Sequence, residues 1–371
     1  MYTWLEISEK AIEHNLKQFR KVIGPDRLLM PVIKANAYGH GFLGIAQICA
    51  KSALVDRLCV VNDEEALELL KHGIKKPIMI LSFYELEIKK ALQLAKNGVI
   101  FPLFSLEQAK FLDRVGEEAK KLIKVHLKID TGASRVGIMP SEIKKFLKDI
   151  SFAENLEIEG IWSHFASSED DPIFTKKQYD IFNQAVKTLG QEGINPPLRH
   201  MSCSAASVLF SLQNFNAIRL GLGLYGLHPS PKTKSKIQLK PALSWNTKIV
   251  QVKKISVHTK IGYGGTFITT RSTKIAILPV GYWDGYDRRF SNNAFVLIKG
   301  KKCPVRGRIC MNLTIIDVTA VPGVKAGDKV TLIGQDKKES ITAEDLAKWA
   351  KTINYEIIDR INPLLPRVMS Y

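Results

Sequence analysis

Lys34 closes an apolar run, LLMPVIK (28–34), at a place where a strand should end in core. A lysine is seldom buried without a task. A desolvated amine gives up its proton readily and can then form a Schiff base with an aldehyde. A lysine snorkelling from a strand end, or one meeting a phosphate, fits the same local pattern. In KIDTGASRVG (128–137), Lys128 and Arg135 flank a glycine-containing loop. Two such cations repel unless something negative lies between them: a phosphate, a substrate or a modified lysine. Arg219 cannot readily lose its proton. Set against a pyridine nitrogen, it would donate a hydrogen bond and keep that nitrogen unprotonated; a salt bridge at the same spot is the plainer alternative. His164, between Trp162 and Phe165, suits a structural role as well as a catalytic one. Ser204, with Gly221 and Gly223 in the run AIRLGLGLYG (217–226), offers a hydroxyl and backbone N–H groups fit for a phosphate monoester, or simply a flexible strand end. Tyr263 lies in a glycine-flanked turn, IGYGGTF (261–267). Its phenol, with an ordinary pKa of about 10, becomes a base only where nearby cations lower that value. The alternative is an amphipathic turn cap.

These residues need elements to carry them. Apolar runs at 28–34, 57–61, 77–82, 99–104, 124–130, 156–165, 198–204 and 217–226 alternate with segments of helical period. Eight nearly continuous apolar strands separated by helices predict a closed (β/α)8 barrel. A doubly wound sheet is the competitor, but its GxGxxG turn is absent and KANAYGHG (34–41) stands there instead. Barrel chemistry gathers at the carboxyl ends of the strands. Lys34, Lys128, Arg135, His164, Ser204 and Arg219 would therefore share one mouth. From about residue 235, runs such as 243–257, 273–281, 293–300, 303–309 and 328–334 predict a mostly antiparallel β domain. We expect the barrel over 8–232 and the β domain over 233–371, joined by the N-terminal strand 1–7, with PSPKTKSK (229–236) as linker.

Composition narrows the classes. The chain has 371 residues and a net charge of +18, from 54 Lys and Arg against 36 Asp and Glu. That balance favours anionic partners. Without zinc-finger spacing or a basic arm, nucleic acid is not expected as a partner. Cys49, Cys59, Cys203, Cys303 and Cys310 are odd in number and widely spaced, so neither a disulfide framework nor a metal site is expected. The first residues lack a signal peptide's apolar core. No apolar stretch reaches membrane-spanning length, so no membrane partner is expected and the cytoplasm is the expected compartment.

Taken in order, the segments TWLEIS, VIKANAYGHG, KIDTGASRVG, IGYGGTF, RGRICMN and YEII resemble one family across essentially the whole chain: the pyridoxal-phosphate-dependent alanine racemases. The resemblance implies a homodimer with shared active sites, a small amino-acid substrate and D-alanine supply for peptidoglycan. It implies that Lys34 forms the Schiff base with pyridoxal 5'-phosphate, and that Tyr38, Ser204, Gly221 and Tyr355 hold its phosphate. Arg219 would face the pyridine nitrogen, with His164 supporting it. Arg135 would meet the cofactor's phenolic oxygen and help orient substrate. Lys128 matches a position often carbamylated. Tyr263 and the Met311 backbone would come from the partner subunit, as second acid/base and substrate-carboxylate contact. Arg308 and one of Arg288 and Arg289 would line the substrate entrance.

The implied reaction uses two bases on opposite faces of Cα, Lys34 for the D-enantiomer and Tyr263 for the L-enantiomer. Cys203, Asn312, Asp359 and the terminal RVMSY depart from the usual pattern, but none removes a named catalytic group. Three other readings stand beside this one: a broader racemase taking serine or basic amino acids, a basic amino-acid decarboxylase, and a non-catalytic cofactor-binding protein. Arg219 opposes the decarboxylase, which usually sets an acid at the ring nitrogen, and the second domain opposes the last.

Overall fold

The computed structural model describes residues 1–210 and 214–370 and divides them into two units. One holds residues 12–37 and 42–240, the other residues 1–11, 38–41 and 241–371.

The first unit is the barrel. Its strands are Leu28–Pro31, Leu58–Val60, Ile78–Ile80, Phe101–Leu103, Ile123–Lys128, Leu156–Trp162, Leu198–His200 and Ala217–Leu220. Each falls inside one of the apolar runs read above, except that Ile123–Lys128 begins one residue before the run 124–130. Leu58–Val60, Ile78–Ile80 and Phe101–Leu103 are buried at every position, as strands covered on both faces must be. Parallel pairing runs round the ring through ladders and the single bridges Val32–Cys59 and Met79–Ile100. Between the seventh and eighth strands, Arg219 N donates to Ser202 O at 3.1 Å and Asn216 N to Arg199 O at 3.1 Å. The first strand then pairs with the eighth, Met30 opposite Arg219, and the ring is closed.

Sequence also starts the outer helices. Asn62 caps Asp63–Lys71, whose first turn carries three acids, and Ser105 caps Leu106–Ala119. Asp171 caps Pro172–Gln191, with proline in the first turn. Such caps are worth about 1 kcal/mol each, and acids in the first turn complement the helix dipole.

The second unit is mostly antiparallel. Its main sheet orders Lys301–Pro304, Phe295–Ile298, Lys329–Asp336, Leu243–Lys248, Thr3–Ser8 and Arg367–Ser370. The opening strand Thr3–Ser8 lies antiparallel to Leu243–Lys248 and parallel to Arg367–Ser370. A second sheet holds Gln251–Ile255, Thr273–Leu278 and Thr314–Asp317.

Four expectations need correction. The boundary falls after Lys240 rather than 232, because Asn15 holds both the N–H and the C=O of Lys240, at 2.8 and 2.9 Å. The expected linker 229–236 contains a short helix, Pro231–Lys234. The run 243–257 is two strands in different sheets, broken at Ile249 and Val250. The run 303–309 holds strand only as far as Pro304.

Candidate active site

Lys34 is half-buried and opens a turn of unusual hand. Ala35, Asn36, Ala37 and Tyr38 all have φ of 52–53°. For residues with a Cβ this left-handed conformation costs roughly 1–2 kcal/mol each. Hydrogen bonds impose it: Ala37 N donates to Ile33 O at 2.9 Å, and Asn36 Oδ1 accepts from Phe42 N at 2.9 Å. Glu65 adds a carboxylate that accepts from Ala35 N and Val61 N, both at 2.8 Å. Glu65 stands in the first turn of the helix Asp63–Lys71. Here it ties the ends of two barrel strands around Lys34.

Lys128 is buried, with Nζ 3.9 Å from the centre of the Trp162 ring. The strand register sets Lys128 opposite Trp162. The Arg219 guanidinium lies 4.7 Å from the same ring. Burial, then the charges of Arg219 and Arg135, pull the Lys128 ammonium down to about 7. Asp130, the acid acting on it, spends its carboxylate on the backbone N–H groups of Gly132, Ser134 and Arg135. Lys128 is thus partly a neutral amine near pH 7, while Arg135 is exposed on the loop.

This has a stability consequence. An unfolded lysine keeps its proton up to about 10.5. Between about pH 7 and 10 the unfolded chain therefore holds more protons than the folded one, and stability rises with pH. Lys128→Met is expected to flatten that rise, read as the slope of urea midpoint against pH. Equal slopes for both chains would refute it.

Arg219 is buried and strongly committed. Its Nη1 donates to His200 Nδ1 at 2.6 Å. Its Nη2 donates to Ser163 O at 2.7 Å and His164 Nδ1 at 3.1 Å. Burial and the Arg219 charge hold His164 well below the usual imidazole value, so it accepts as a neutral ring. Burial lowers Arg219 only to about 10, and it stays a cation at neutral pH. Two residues not singled out in the sequence, Trp162 and His200, thus organise the cations.

Ser204 begins the short helix Ser204–Leu209. Its Oγ accepts from Gly221 N at 3.1 Å and Gly223 N at 3.2 Å. The Gly221 N–H expected to be open is therefore held by Ser204. A Cβ on Gly223 would lie 2.4 Å from Phe19, so only glycine fits.

Other expected residues lie in the second unit. The Tyr38 and Tyr355 rings are 6.2 Å apart. Tyr263 sits in the loop of a hairpin, Lys260–Ile261 against Phe267–Ile268, and is 71% exposed. A Cβ on Gly264 would lie 2.8 Å from the Arg308 guanidinium, so the Tyr263 loop packs on Arg308. Met311 is exposed, and its carbonyl accepts from Trp283 N at 3.0 Å. Arg289 is held by Asp287 at 2.6 Å.

Lys34, Lys128, Arg135 and Arg219 acting on one another at the carboxyl end of a closed parallel barrel define an α/β-barrel with a cationic mouth. Two family models match the chain: the N-terminal domain of alanine racemase over residues 7–229 and its C-terminal domain over 242–369. The chain therefore belongs to the alanine racemase family. It is 40% identical to the alanine racemase of Halothermothrix orenii, across 98% of this chain and 96% of that one. It is 39% identical to that of Methanococcus maripaludis, across 98% of each. Among solved structures, the alanine racemase of a D-cycloserine-producing Streptomyces lavendulae superposes with a TM-score of 0.94 at 30% identity, covering 100% of this chain and 97% of that one. The Bacillus anthracis enzyme with bound L-Ala-P gives 0.92 at 34% identity, covering 100% and 95%. Among the described residues no helix is long and apolar enough to cross a membrane.

Proposed function

We propose that this chain interconverts L- and D-alanine with pyridoxal 5'-phosphate held at the barrel mouth. The observation carrying this reading is the family match along both units, on a chain whose mouth gathers Lys34, Lys128 and Arg135 around a buried arginine, Arg219. The donor set fits the cofactor. Lys34, Lys128 and Arg135 suit its anionic groups, and Ser204, whose Oγ is braced by the Gly221 and Gly223 amides, keeps its O–H to donate to the phosphate. Tyr38 and Tyr355 would complete that phosphate site. Arg219 Nη1 and Nη2 are taken, which leaves Nε for the ring nitrogen.

When bound, the cofactor accommodates the electron pair left at Cα as its proton departs. Lys34 Nζ takes or returns that proton on one face of Cα, and Tyr263 Oη does so on the other. Inversion follows because the two groups stand on opposite sides. Arg219 would donate to the ring nitrogen and keep it unprotonated, which would limit side reactions. Arg135 and the Met311 backbone orient the substrate carboxylate. Lys128, partly neutral near pH 7, is chemically able to take up CO2 as a carbamate, which would set an anion beside Arg135.

The active form is a homodimer in this reading, with Tyr263 and Met311 serving the partner's barrel. Tyr263, Tyr282, Trp283, Met311 and Leu313 are exposed apolar or aromatic residues of the second unit, suited to a second copy of the chain. The test is Cα proton–deuterium exchange with each alanine enantiomer in D2O, with optical rotation followed alongside. Exchange with inversion from both is expected. Inert alanine with turnover of serine or a basic amino acid would transfer the proposal to a broader racemase. Cofactor absorbance with no exchange of any amino acid would reduce it to a binding protein.

A further inference from the structure

We propose that Glu159 is a positioning residue for Arg219, acting through His126 and His200 along a hydrogen-bond chain of fixed direction inside the barrel. Arg219 Nη1 lies 2.6 Å from His200 Nδ1, and His200 Nε2 lies 2.8 Å from His126 Nδ1. His126 Nε2 lies 2.9 Å from Glu159 Oε2. Arg57 grips the carboxylate with both terminal nitrogens, at 2.5 and 3.1 Å, and Lys124 Nζ adds a contact at 2.8 Å. Both imidazoles are wholly buried, and Arg219 and Glu159 are 4% and 5% exposed.

The ends dictate the direction. An arginine only donates, so His200 Nδ1 must accept. The proton of His200 then sits on Nε2, and His126 Nδ1 must accept in turn. His126 carries its proton on Nε2 and gives it to Glu159, which as a carboxylate only accepts. A second proton on either ring would set two donors facing one another. The electrostatics agree. Burial holds both imidazoles below their usual value, most strongly His200, where the Arg219 charge adds to it. Burial alone would raise Glu159, but the hydrogen bonds from His126, Arg57 and Lys124 hold it well below the carboxylate range.

Shape protects the arrangement. A Cβ on Gly160 would lie 2.6 Å from the His126 ring, so the ring occupies space that only glycine leaves. Trp162 stacks on His200 at an interplanar angle of 13°. Among the described residues Arg219 has no acid in salt-bridge contact, so its counter-charge is Glu159, reached through two polarised rings. An acid touching Arg219 would anchor it equally well, but would bring negative charge to the ring nitrogen and favour its protonation. Moving the acid two imidazoles away anchors the guanidinium without that effect. The chain itself is independent of the cofactor; only its use in racemisation rests on the function proposed above.

The test is 15N-histidine NMR on the cofactor-free chain, whose eight histidines can be assigned by single substitution. His126 and His200 are expected as neutral Nε2–H tautomers that do not titrate between about pH 5 and 8, where an ordinary imidazole changes charge. In Glu159→Gln, His200, which does not touch residue 159, is expected to lose its single tautomer. Nδ1 protonation of His200 in the unsubstituted chain overturns the proposal without any variant, which covers a variant that fails to fold. A His200 signal unchanged in Glu159→Gln overturns it as well. With cofactor bound, Glu159→Gln should lower kcat about tenfold, leave KM for alanine within about twofold, and shift the pH at which the bound cofactor's absorbance changes. Ordered tautomers in a chain inert to alanine would keep this proposal and defeat the racemase reading.

Discussion

Lys34→Ala is expected to lower kcat with either alanine enantiomer by roughly 10^3- to 10^4-fold, at the upper end of what a positioned acid/base supplies. Tyr263→Phe is expected to lose racemisation to a similar extent but unevenly. Lys34 still reaches its own face of Cα, so deuterium exchange into D-alanine persists while inversion fails. The two variants also probe the proposed sharing of sites. Mixed dimers of Lys34→Ala and Tyr263→Phe contain one site of two with both bases intact, and recover up to half the unsubstituted activity per dimer. Demonstrated heterodimers with no recovered activity would mean that each chain completes its own site. Equal loss of exchange and inversion in Tyr263→Phe would remove the two-base assignment.

Arg219→Glu carries the second large effect. The substitution replaces a fixed donor by an acceptor beside His200 Nδ1, itself an acceptor. Relief requires a proton on that ring or on the cofactor nitrogen. Loss of one preorganised donor costs roughly 10^2- to 10^3-fold in kcat, and racemisation should fall by that much. The share of turnovers ending in amino-group transfer to the cofactor, measured as released keto acid, should rise. Unchanged partition with reduced racemisation would limit Arg219 to an anchoring role. Circular dichroism would separate this from unfolding, since the exchange also breaks the donations to Ser163 O and His164.

The barrel was legible because strands buried on both faces must be apolar throughout. Runs as short as LCV and IMI therefore stood out between amphipathic helices. Lys34, Lys128 and Arg219 were legible as charges interrupting such runs. Glu159 interrupts a run too, in LEIEGIW, but its meaning needs three neighbouring strands, with His126 and His200 in reach. Pairing among strands that far apart in sequence is set by barrel closure, which no single segment carries. The hand of the Lys34 turn was hidden for another reason. Ala-Asn-Ala-Tyr has no glycine to announce positive φ, and the Glu65 carboxylate that holds it lies 30 residues on. In the second unit, the break at Ile249 and Val250 has neither proline nor glycine to mark it, so two strands read as one.

The opening strand sets a timetable. Thr3–Ser8 is made before every barrel strand, yet its neighbours are Leu243–Lys248 and Arg367–Ser370. At about 5–20 residues per second, the barrel segments are all made before the first neighbour exists. The second is made after every other strand of the β domain. Until Leu243–Lys248 is made, Thr3–Ser8 is an unpaired strand with Leu5 and Ile7 destined for full burial. Such an edge invites pairing with another nascent chain. The barrel is therefore expected to mature before the β domain, whose opening strand waits for both of its neighbours.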